Sequence, residues 1–119
     1  MENIELVFDK SKFIAVQNNQ IQLLKEIIKE KLTVGHLGGL FYINSELLNF
    51  LDLLERSGYD SAVVNDMNET PVEITNITEF KKTCMEKYAQ EQNQALAEMR
   101  RIRKARTVKE LVEYDYPEE

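Results

Sequence analysis

The sequence predicts an α+β fold: a small, mainly antiparallel sheet of three to four strands, with helices packed on it and a long C-terminal helix. Three observations lead there. Short apolar runs at 3–8, 40–43, 62–64 and 71–74 read as strands. Segments between and after them repeat apolar residues at helical spacing. The composition, 43% hydrophobic and 30% charged over 119 residues, is that of one globular domain with a core of its own.

The elements follow in order. Residues 3–8 alternate as a short strand, and Asp9-Lys10-Ser11 turns the chain, with Ser11 as a helix cap. A first helix runs from about Lys12 to Leu32, because Phe13, Val16, Ile21, Leu24, Ile28 and Leu32 share one broad face. The glycine-rich stretch Gly35 to Gly39 ends the helical region. Leu40-Phe41-Tyr42-Ile43 is a buried strand, and Asn44 or Ser45 caps a second helix that reaches Arg56. That helix is apolar on more than one side, which predicts a sandwiched or interfacial position. Ala62-Val63-Val64 and Pro71-Val72-Glu73-Ile74 form a strand and its return, the latter at an edge because proline lacks an N–H.

Thr75 or Asn76 caps a third helix, Ile77 to Ala105. At ~1.5 Å per residue it reaches about 43 Å. A globule of this size is only about 35 Å across, from a radius of gyration near 13 Å. The chain is therefore read as one domain overall, with an α+β body at 1–90 and a helical arm with an acidic tail at 91–119. Along the helix, Met85, Tyr88, Gln92, Ala95, Met99 and Ile102 recur at spacings of three and four, a heptad-like stripe. Thr107 to Glu110 matches a capping box for a short last helix carrying Leu111 and Val112. Pro117 and the terminal glutamates are expected to be loose.

Charge is unevenly laid out. The net charge is −6, yet Arg100, Arg101, Arg103, Lys104, Arg106 and Lys109 fall within ten residues that hold no acid. The rest of the chain carries a net of −12. An acidic body repels nucleic acid and anionic lipid, while a projecting basic segment can still bind them.

Most catalytic and metal chemistries lack their residues. A single cysteine excludes an internal disulfide and a cysteine-based zinc site, and a single histidine excludes a multi-histidine metal site. No run approaches the ~18 apolar residues of a membrane span. The opening residues lack the basic and apolar parts of a secretory signal. The glycine loop follows a helix and opens a strand, the reverse of a phosphate loop. His36 has no partner acid or nucleophile pattern, and Cys84 shares the docking face of Ile77 and Phe80 as a small apolar residue. Asp60, Asp66 and Glu69 do not match calcium-loop spacing. No catalytic residue, metal site or cofactor is expected.

The run Gly38-Gly39-Leu40-Phe41-Tyr42-Ile43-Asn44, followed by Ser61-Ala62-Val63-Val64-Asn65-Asp66 and Pro71-Val72, resembles small uncharacterised proteins of T4-like tailed phages. The resemblance covers about the middle third of the chain and implies a virion component, assembly factor or accessory protein in the host cytoplasm. It assigns no site residues.

The expected function is therefore a non-enzymatic interaction or assembly protein. The stripe from Met85 to Ile102 would meet a protein partner or a second copy, and the six basic residues would orient the contact. Two alternatives stay open: a nucleic-acid-binding regulator using 100–109, and an acidic inhibitor that mimics nucleic acid. No membrane partner is expected.

Overall fold

A computed structural model describes residues 4–112 of the chain. Pro117 and the terminal glutamates, expected to be loose, lie outside the described residues. Eight elements follow one another: α1 (Ile4–Lys31), β1 (Thr33–His36), β2 (Gly39–Tyr42), α2 (Ser45–Arg56), β3 (Ala62–Asn65), β4 (Pro71–Ile74), α3 (Ile77–Lys104) and α4 (Val108–Val112). The fold is α+β, as the composition of elements predicts.

The first strand is not formed. From Ile4 onward the chain is helical, and Ser11 lies inside α1 instead of capping it. No glycine or proline interrupts Ile4–Lys31, so nothing stops the helix at Asp9-Lys10-Ser11. A six-residue alternation also needs a neighbouring strand to satisfy its backbone, whereas a helix satisfies itself.

The sheet also differs from expectation. Among the described residues there are four strands, but they form two separate antiparallel pairs, β1 with β2 and β3 with β4. In the first pair Thr33 lies opposite Tyr42 and His36 opposite Gly39. The turn between them is only Leu37-Gly38, with φ of 50° and 87°. Positive φ at both positions gives the twist that a two-residue hairpin needs. In the second pair Ala62 lies opposite Ile74 and Asn65 opposite Pro71.

A side chain explains why the pairs do not merge. The Leu40 N–H donates to Asp66 Oδ2 at 3.0 Å. The Leu40 carbonyl accepts from Met67 N–H at 2.8 Å. Asp66 thus takes a position that a strand carbonyl would fill in a continuous sheet. The Val72 side chain packs tightly over Gly39: a Cβ there would stand 2.6 Å from Val72 Cγ2, so only glycine fits.

The described residues divide into two compact units. Ile28–Asn93 holds both hairpins, α2 and the first part of α3. Its core joins Leu32, Phe41, Ile43, Leu51, Ile74 and Ile77, with Phe80 and Cys84. Asn44 caps α2 by accepting from Leu47 N–H at 2.9 Å. Asn76 caps α3 by accepting from Glu79 N–H at 3.0 Å. Lys81 on α3 ties down α2, donating to Glu55 Oε1 at 3.0 Å and Asp52 Oδ1 at 3.2 Å. These two carboxylates hold the Lys81 ammonium above its ordinary pKa, Glu55 contributing first.

The other unit comprises the described parts of Met1–Ile27 and Gln94–Glu119. Leu24, Ile102, Ala105 and Leu111 are buried there. Gln17 Nε2 donates to the Ile102 carbonyl at 3.2 Å, joining α1 to the last turn of α3. The capping box before α4 is present in a shifted form. Thr107 Oγ1 accepts from Glu110 N–H at 3.2 Å, and Glu110 Oε2 accepts from Arg106 N–H at 2.8 Å.

Candidate partner-binding surface

The third helix carries the whole periodic stripe and four of the six basic residues; Arg106 follows its end and Lys109 lies in α4. Its buried face repeats every seven residues through Ile77, Cys84, Glu91, Glu98 and Ala105, all buried. That face is turned by one residue from the stripe read in the sequence. Along the stripe, Met85 and Gln92 are exposed, while Tyr88, Ala95 and Met99 are half-buried. Ile102 is buried at 1% exposure. Tyr88 packs against the core of Ile28–Asn93, and its hydroxyl accepts from Gln92 Nε2 at 3.0 Å.

Glu91 and Glu98 are the residues that sequence reasoning missed, because glutamate on a helix reads as solvated. The available signal is the spacing of Cys84 and Ala105, three intervals of seven apart with Glu91 and Glu98 at the steps between. Glu91 lies 3.6 Å from Lys87 Nζ. Glu98 Oε1 accepts from Arg101 Nε at 2.9 Å and also from its Nη2.

The basic residues divide by use. Arg101 is engaged within its own unit. Besides Glu98 it donates to the carbonyls of Glu110 and Leu111 in α4. A guanidinium carries five N–H donors and suits such a bridge. Lys109 also has an interaction within the chain. Arg100, Arg103, Lys104 and Arg106 are exposed, and their side chains make no ion pair among the described residues. Three of them, with Phe13, Gln17 and Ala105, line a shallow hollow of about 690 Å³. Buried Ile102 and Ala105 alternate with these charges and fix the backbone that presents them.

Other chemically capable residues have structural surroundings. The His36 ring stacks on Phe80 with centroids 4.2 Å apart. Cys84 is buried, and loss of solvent pushes its thiol up to about 11. The Asp66 carboxylate is held by backbone amides. No group of three or more potential metal ligands occurs among the described residues. No helix among them is long and apolar enough to cross a membrane.

Compared with protein-family models, curated proteins and solved structures, the chain finds no match.

Proposed function

We propose that this protein is a non-enzymatic interaction protein that engages an acidic surface of a partner protein through the basic end of α3. One observation carries the reading: Arg100, Arg103, Lys104 and Arg106 stand exposed and, among the described residues, without carboxylate partners, in a chain of net charge −6. Four like charges so close repel one another, and an acidic partner relieves that repulsion. Arg101, locked to Glu98 and α4, makes the presenting backbone rigid, so little order has to be created on binding. The resemblance of 38–44, 61–66 and 71–72 to small proteins of T4-like tailed phages agrees with a virion, assembly or accessory role.

A second reading shares the surface. Arginines suit bidentate contact with phosphate as well as carboxylate, so nucleic acid is the competing ligand. Affinity purification from the native cell separates the two, using wild type beside Arg100→Glu/Arg103→Glu/Lys104→Glu. Proteins retained by wild type after nuclease treatment and lost by the variant support a protein partner. Retention that disappears with nuclease supports nucleic acid. Identical retention by both chains overturns a role for this surface.

A further inference from the structure

We infer that the outer edge of β3 is a docking edge for an extended, basic segment of another protein, which adds as a strand in the groove between β3 and β2. This edge lies within Ile28–Asn93 and is independent of the basic surface on α3.

The argument begins with where the backbone groups point. In an antiparallel pair, residues alternate between facing the partner strand and facing away. Asp66 N–H donates to the Thr70 carbonyl at 2.9 Å, so positions 66, 64 and 62 face β4. Val63 and Asn65 therefore turn their N–H and C=O groups outward. Pro71, opposite Asn65, has no N–H to give, which agrees with that phase. On the other hairpin, Ile43 N–H donates to the Leu32 carbonyl at 2.8 Å, so Leu40 and Tyr42 face outward.

The two outer edges meet at one end and are open beyond it. Leu40 is bonded to Asp66 and Met67. Past that point Tyr42, Val63 and Asn65 make no further hydrogen bond on their outer side among the described residues. β3 offers two outward residues and β2 only one, so β3 is the better template. Open edges accept an added strand, and proteins guard unused ones with lysine, proline or a bulge. Ala62-Val63-Val64-Asn65 carries no such guard.

The walls of the gap specify the occupant. The groove holds about 630 Å³, and Tyr42, Leu47, Phe50, Val63 and Met67 give it apolar walls. Phe50, Val63 and Met67 remain 42%, 63% and 45% exposed. Glu46, Asp66 and Glu69 also line it, and no lysine or arginine does. Apolar walls between carboxylates suit a strand that alternates apolar and basic side chains. A second copy of this chain would set the same carboxylates against themselves, which disfavours self-pairing.

Amide exchange on the full-length, isotope-labelled protein tests this directly. The probe is a seven-residue peptide alternating lysine and valine. Its controls are the glutamate–valine counterpart and an N-methylated lysine–valine peptide that cannot form a ladder. The lysine peptide is expected to slow exchange at Val63 and Asn65, and neither control is. Asn65→Pro removes one outward N–H and no ladder bond, so it weakens the peptide about tenfold. Val63→Lys, which installs an edge guard at an exposed position, weakens it likewise. Unchanged exchange at Val63 and Asn65 overturns the proposal, as does equal protection by either control peptide. Protection that grows with protein concentration alone overturns it in favour of a second copy.

Discussion

Asp66 links the two hairpins through its side chain. Its Oδ1 accepts from Asn68 N–H at 2.9 Å and Thr70 N–H at 3.0 Å, closing the β3–β4 turn. Its Oδ2 takes the Leu40 N–H of the other hairpin. These amides, Leu40 first and then Thr70, hold the carboxyl below its ordinary pKa of 3.8. The folded value is the depressed one, so the stabilisation is complete above 3.8 and is lost as pH falls through the folded value. Asp66→Ala is expected to lower the thermal midpoint at neutral pH. The gap from wild type should narrow in acid, where the wild-type carboxylate is protonated too. Paired melts from pH 7 downward check this, and a gap independent of pH would show that the charge is not what holds the turn.

At the scale of elements, the β1–β2 turn is the place where local preference and fold disagree. Leu37 is 55% exposed and sits at φ 50°, a region its Cβ disfavours. Asn-Gly is the favoured pair for a turn of this kind. Leu37→Asn is therefore expected to stabilise the protein by roughly 0.5–1 kcal/mol. A rise in the urea midpoint with an unchanged slope would confirm it. This disagreement also explains what the sequence hid. Thr33-Val34-Gly35-His36 holds a glycine, and Leu37-Gly38 lacks a standard hairpin signature, so β1 read as a loop. The first turns of α1 read as a strand because six residues are too few to separate the two periods. Helix caps were easier, since Asn44, Asn76 and Thr107 act through their own short side chains on amides two or three residues away. On α3 the existence of a repeating face was legible, but its phase was not. Glu91 and Glu98 sit at inward positions, and their burial depends on nearby cations that hydropathy does not register. The open edge of β3 was equally invisible, because it depends on how Asp66 fills the place of a strand.

For the whole molecule, Arg101 ties α3 to α4 within the unit that contains the basic surface. Arg101→Ala removes the bridge to α4 and leaves the Glu98 side chain, only 7% exposed, without its guanidinium. The expected cost is about 2 kcal/mol. Amide exchange should speed up in α4 and the last turns of α3, while amides of the two hairpins keep their protection. Uniform acceleration through both units would instead mean that the chain opens as a single cooperative block.

The unit formed by the described parts of Met1–Ile27 and Gln94–Glu119 brings together stretches made at opposite times during synthesis. All of Ile28–Asn93 must leave the ribosome between them. At about 5–20 residues per second, that is a delay of roughly 3–13 s. Throughout it, Leu24, buried in the finished unit, waits for the second half of that unit to be made. The hairpin unit has every residue it needs before then, so the nascent chain is set to fold from its middle outward.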